Sequence, residues 1–282
     1  MKHVALCADD YAIAPGVSLA IRQLVAGRCI NATSVMTVFD GLAEEAAALK
    51  AAAEGTGASL GLHVTLTGTF APLTSGMAGP AGTFPALSPL LLAAMTRRLD
   101  PKAVAAEVEA QFLAFAAAFG HPPHHVDGHQ HVHVLPVVRA AVLKATARHA
   151  PQAWLRDVTP ARGALHGFDL KGRVIGTFAT GFARAAAQLG LTTNRGFGGA
   201  YDFSADHDFA TLLAHFLKGV PDGGLVMVHP GRVDDPLTAR DPLTHQREVE
   251  YEVLHGPLLR EILDAADVSL TLPLALRPRP AA

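Results

Sequence analysis

The sequence predicts an α/β fold, a distorted (β/α) TIM-like barrel built by residues 1–282 as a single domain. Three observations predict it. Short apolar or β-branched runs alternate with amphipathic stretches along nearly the whole chain, the pattern of parallel strands joined by helices. No GxGxxG fingerprint follows the first run, which argues against a dinucleotide-binding sheet. Several runs also end at Asp or His, the kind of residue that gathers at the C-terminal face of a parallel barrel.

Residues 3–8 form an apolar run that reads as a buried strand and stops at Asp9 and Asp10. Residues 15–26 carry Val17, Ala20, Ile21, Leu24 and Val25 at helical spacing, with Pro15 at the start and Gly27 at the end. Residues 32–39 are β-rich, 41–53 helical, and 59–66 a third strand that contains His63. From residue 68 to 100 the alternation fails, and Pro72, Gly76, Gly79, Pro80, Gly82, Pro85 and Pro89 mark a long excursion with one short helix near residues 90–98. Its length and its apolar side chains read as a flap over a cleft, against the alternative of an insertion packed on the barrel's side. Asp100-Pro101 starts a helix that Gly120 stops after Phe119.

A short strand then enters a histidine cluster, and residues 136–149 are helical. Residues 154–156 and 191–193 are weaker strands around a helix over 173–189, and Ser204 is placed to cap a helix that ends at Leu217. Residues 224–228 are a buried strand ending at His229, 244–265 the last long helix and 268–272 the last strand.

Composition excludes several classes of function. Half of the residues are apolar and 17% are charged, enough to bury a large core. Lys and Arg number 23 against 25 Asp and Glu, so the charge balance offers no footprint for nucleic acid or anionic membranes. Two cysteines, Cys7 and Cys29, are too few for a disulfide framework. No apolar run approaches the roughly 18 residues of a membrane span, and the N-terminal run is too short for a signal peptide. The expectation is a soluble, cytoplasmic protein.

The chain has 15 His, and His121, His124, His125, His129, His131 and His133 crowd into one short segment. If extended, residues 127–133 would put Asp127, His129, His131 and His133 on one face, an arrangement suited to a metal. Asp9-Asp10 alone reads equally as a polar turn, and His63 or His229 alone as a satisfied sheet residue. Carboxylates next to an apolar strand do need a cation or donors to offset their burial.

Taken in order, Ala8-Asp9-Asp10-Tyr11 with Pro15-Gly16, Gly61-Leu62-His63, His125-Val126-Asp127-Gly128-His129-Gln130-His131-Val132-His133 and His229-Pro230-Gly231 resemble the YdjC-like carbohydrate deacetylase family. The resemblance spans most of the chain and includes chitooligosaccharide deacetylases and a hopanoid-biosynthesis branch. It implies a barrel related to polysaccharide deacetylases and a hydrolase that removes N-acetyl groups from an amino sugar, oligosaccharide or glycolipid-like substrate. It also implies one divalent metal ion per chain on Asp10, His63 and His129, with Asp9 as catalytic base and His229 as acid. Tyr11, His131, Arg247 and Glu250 would bind substrate. Imidazole donors favour zinc, whereas the family is usually described with magnesium, so the ion is left open. A homodimer is likewise open. Gly128 and Gln130 stand where the chitooligosaccharide enzymes carry Ser and a further His, so the resemblance implies the metal chemistry rather than the sugar specificity. The alternatives are a barrel metallo-phosphoesterase or another amidohydrolase, and a non-catalytic, metal-dependent carbohydrate sensor. Keeping both a base and an acid beside the ligands argues against a sensor.

Overall fold

A computed structural model describes residues 1–165, 176–203 and 207–277. Its centre is a curled, all-parallel sheet. In chain order the strands are β1 (Lys2–His3), β2 (Ala5–Tyr11), β3 (Ala32–Val35), β4 (Ser59–Val64), β5 (His125–Gly128), β6 (Trp154–Leu155), β7 (Thr192–Thr193), β8 (Phe197–Gly198), β9 (Leu225–Val228) and β10 (Val268–Ser269). Eight of them pair in the order β7-β6-β5-β4-β3-β2-β9-β8. A parallel bridge from Pro160 to Phe197 brings β8 back against the chain leaving β6, which curls the sheet into the expected distorted barrel.

β1 and β10 lie outside this sheet as a separate parallel pair. The run expected as one strand from residue 3 is therefore two, and the last predicted strand belongs to the small pair.

The helices whose ends are written locally match the sequence residue for residue. α1 (Pro15–Ala26) begins with its proline. In the long helix Pro101–Phe119 the Asp100 side chain accepts from the Lys102 amide, and Gly120 ends it at φ 79°, a conformation glycine adopts at little cost. α2 (Leu42–Ala53) and the helices Val138–His149 and Phe209–Gly219 fall within a few residues of expectation. The cap of Phe209–Gly219 is Asp208, whereas Ser204, expected in that role, lies outside the described residues. Of the helix expected over residues 173–189, the first three residues also lie outside them, and Phe182–Gln188 is helical after a turn at Gly181.

Two other differences have plain causes. The helix expected over residues 244–265 breaks into His245–His255 and Leu258–Ala265 at Gly256-Pro257, where proline cannot supply a helix-interior amide. The histidine cluster is not extended. β5 ends at Gly128, and residues His129–Val134 coil into a 3₁₀ turn with Gln130 and His131 at φ 51° and 59°. Asp127, His129, His131 and His133 thus do not share a strand face.

The excursion contains a 3₁₀ turn (Ser75–Met77) and a helix (Leu87–Met95). It is tied to the long helix by Glu107, a fully buried carboxylate that accepts from the Leu73 and Thr74 amides, the Thr74 hydroxyl and Gln111 Nε2. Phe70, Met77 and Phe84 are buried beneath it.

Candidate active site

The C-terminal ends of β2, β4, β5 and β9 carry the residues singled out in the sequence. Adjacent residues of a regular strand face opposite sides, so Asp9 and Asp10 should not both reach the interior. They do because β2 bulges. Ala8 pairs with Thr33 and Tyr11 with Val35, which leaves one extra residue on β2, and Asp10 adopts a left-handed φ of 67°. Both carboxylates are consequently buried, each 2% exposed.

Asp10 is the hub. Its Oδ1 lies 3.2 Å from His63 Nε2 and 2.9 Å from His129 Nδ1. Its Oδ2 accepts from Arg247 Nη2 at 2.6 Å. Burial alone would raise the Asp10 pKa, but His129 and Arg247 outweigh it and hold it well below the carboxylate range. Behind His63 stands Asp127, which accepts from His63 Nδ1 at 2.6 Å and points Nε2 at Asp10. Burial would lower His63, yet Asp127 and Asp9 raise it to about 10.

Asp9 is held differently. The Arg156 guanidinium grips both of its oxygens at 2.6 Å and reaches Asp127 Oδ2 at 2.5 Å. Arg156 is fully buried and was not picked out from the sequence as a functional residue. The available signal was its place at the tip of a short apolar strand, the position that also marks Asp9 and His229. The same guanidinium lies 3.2 Å from Cys7 Sγ, so the buried grouping of Cys7, His125 and Asp127 already has its cation.

His229 is half-buried at the end of β9, its ring edge-on to Phe203 at 5.1 Å and its Nδ1 without a partner. Burial depresses it to about 4 despite Asp10 and Asp9, so the resting ring is neutral rather than the imidazolium expected of a ready acid.

The four residues expected at the substrate have defined partners in the protein. The Tyr11 hydroxyl turns away to Glu45 and Arg22 on the outer helices. Arg247 is fully buried between Asp10 and Asp241. Glu250 accepts from the Tyr201 hydroxyl and the His229 amide, and burial lifts it to about 7 against those two donors. These last two hold the site from behind. His131 packs edge-on against Phe197 with an unpaired Nδ1.

The residues fit a divalent cation. Asp10, His63 and His129 bring one oxygen and two nitrogens to within 4.8 Å of one another. Among the described residues, and with His63 neutral as a ligand must be, the guanidiniums paired with Asp9, Asp10, Asp127 and Asp241 are those of Arg156 and Arg247, two positive charges against four negative. The raised His63 pKa expresses the same deficit through a proton.

The curled sheet and this cluster define the class, a (β/α) barrel with a buried site fit for a metal at its strand ends. The family described as YdjC-like protein matches residues 3–265. The chain belongs to that family. It is 28% identical to a human protein named carbohydrate deacetylase, over 95% of this chain and 89% of the relative. It is 26% identical to a chitooligosaccharide deacetylase of Yersinia pestis (strain Pestoides F), over 92% and 93%. A crystal structure from Enterococcus faecalis V583, named for cellobiose-phosphate cleavage, superposes with a TM-score of 0.74 at 18% identity over 98% of this chain and 99% of that one, a likeness of fold. No helix among the described residues is long and apolar enough to cross a membrane.

Proposed function

We infer that the protein is a metal-dependent deacetylase that hydrolyses the N-acetyl group of an amino sugar, oligosaccharide or glycolipid-like substrate. The observation that carries this reading is the convergence of Asp10, His63 and His129 beside a second carboxylate, Asp9, which a guanidinium holds in place. Asp10 Oδ1, His63 Nε2 and His129 would hold one divalent ion per chain, zinc or magnesium. When bound, that ion would polarise the acetyl carbonyl and acidify water.

The chain's own groups do the rest. Arg156, on both Asp9 oxygens, holds that carboxylate oriented to take the proton of the attacking water. The bond from carbonyl carbon to sugar nitrogen breaks, and the amine needs a proton in return. His229 is neutral at rest, so it becomes an acid only when recharged by the proton that Asp9 has taken. Acetate and the free amine leave. Phe39 and Phe70, with rings 4.8 Å apart, and Phe70 6.2 Å from the His129 ring, give the rim an apolar wall.

A two-metal phosphoesterase needs more free carboxylates at the strand ends, and Asp127, the obvious extra one, is committed to Arg156, Ser34 and His63. The deciding experiment incubates the purified protein and a divalent ion with a panel of N-acetylated sugars and phosphorylated sugars. Acetate release supports the reading, and phosphate release without acetate overturns it.

A further inference from the structure

Beneath the site, the barrel interior holds a row of polar groups that leads to Asp127, and to Ser34, Ser59 and His125 the proposed chemistry assigns no task. Ser34, Ser59, His125 and Asp127 are all fully buried. The direction of each hydrogen bond follows from the one before. A carboxylate can only accept, so the Ser34 hydroxyl donates to Asp127 Oδ2 at 2.5 Å. Its only hydrogen is thereby used, and Ser34 Oγ must accept from His125 Nε2, 3.1 Å away. Burial holds His125 neutral, with a pKa of about 3, so a proton on Nε2 leaves a lone pair on Nδ1. That lone pair accepts the Ser59 hydroxyl at 2.8 Å. At the other end Asp127 Oδ1 accepts from His63 Nδ1 and leaves His63 Nε2 facing Asp10. Trp154 stacks on the His125 ring at 4.3 Å, and Gly61 leaves it room, since a Cβ there would lie 2.3 Å from the ring.

We propose that Ser34 is a positioning residue. The directed chain Ser59–His125–Ser34–Asp127–His63 fixes the rotamer of Asp127, and through it the tautomer with which His63 presents Nε2 to the ion. This inference rests on the metal reading above. Without the Ser34 hydroxyl, Asp127 Oδ2 keeps only Arg156, and His125 Nε2 is left with the weak acceptor Cys7 Sγ at 3.7 Å, because Asp127 is 4.0 Å away. The carboxylate is then free to turn toward the guanidinium and away from His63.

The test titrates zinc calorimetrically into the metal-free full chain as wild type, Ser34→Ala and Ser34→Thr, and follows the His63 ring N–H resonance in the zinc-loaded proteins. Outer-sphere partners of a ligating histidine are worth about 10- to 100-fold in affinity, and the far member of such a chain falls at the lower end. Ser34→Ala should bind zinc about 10-fold more weakly with a shifted His63 N–H signal, and Ser34→Thr, which restores the donor, should recover both. Equal affinity in Ser34→Ala, or an equal loss in a folded Ser34→Thr, overturns the proposal. Should the threonine variant not fold, Ser59→Ala decides, with a smaller loss in the same direction expected and no loss refuting. A wild type that takes up no zinc overturns the metal reading and this inference with it. Normal wild-type uptake with an unchanged alanine variant overturns the inference alone.

Discussion

Replacing Arg156 by methionine isolates the charge that holds the candidate base. Methionine fills most of the arginine's volume, so the perturbation is chiefly electrostatic. In the protein, Arg156 makes two contacts to Asp9 at 2.6 Å and one to Asp127 at 2.5 Å, all in the interior. Removing one partner of a buried ion pair strands the other charge at a cost of about 3–5 kcal/mol. Unfolding entropy scales with length, so for a chain of this size each kcal/mol lowers Tm by about 2 °C, and the expected drop is about 6–10 °C at pH 7. The Arg156 charge is what chiefly depresses Asp127 against its burial. A depressed carboxylate contributes stability above its ordinary value of 3.8 that is lost as pH falls, so the gap between wild type and variant should narrow in acid. Added divalent cation should restore more Tm to the variant than to wild type, because it addresses the same uncompensated carboxylates. Thermal melts followed by circular dichroism at pH 7 and about pH 3, with and without zinc, make the measurement. A variant that melts within about 2 °C of wild type at pH 7 would refute the reasoning, since it would mean that the stranded carboxylates had simply taken up protons.

Other outcomes follow from the same geometry. Asp9→Asn should keep metal affinity while losing about 10²- to 10⁴-fold in kcat, whereas Asp10→Asn should lose metal first; calorimetry and acetate release on both variants would expose exchanged roles. Burial raises Glu250 to about 7 from 4.5, so the folded state holds an extra proton between those values and stability should decline as pH rises through that window; Glu250→Gln should flatten this part of a Tm-against-pH curve, and an unchanged slope would count against the assignment. Replacing residues 75–85 with a short Gly/Ser linker should change KM or substrate preference at constant metal content if the excursion is a flap, and identical kinetics on every sugar would leave it a side insertion.

Much of this architecture was legible in the sequence because its signals are local. Pro15, the Asp100-Pro101 pair and Gly120 each act on the few residues beside them, and their helices ended where those residues said. His63 and His129 were legible because strand ends converge in any parallel barrel. What the sequence did not disclose depends on partners. The bulge that turns Asp9 and Asp10 the same way exists only in register with Val35. The left-handed turn at Gln130 and His131 replaces a strand that alternation alone would have continued. Arg156 looks like an ordinary strand-end arginine until Asp9 is placed opposite it, and the contacts of Arg247 with Asp10 and of Glu250 with the His229 amide join residues far apart in the chain. The break at Gly256-Pro257 was locally written, and there the helical spacing on either side concealed it.

The bulged strand β2 lies inside the sheet, with β3, β4, β5, β6 and β7 in turn on one side and β9 and β8 on the other. The carboxylates and imidazoles that converge on Asp10 therefore all emerge from the ribosome within the first 129 residues, while Arg156 and Arg247 come later. A nascent half-barrel would carry three acidic groups, Asp9, Asp10 and Asp127, at its open edge with no guanidinium to meet them. Its closure by β9, more than 200 residues from β2, brings apolar pairing and cancellation of charge together. Synthesis thus delivers Asp9, Asp10 and Asp127 first and their guanidinium partners afterwards.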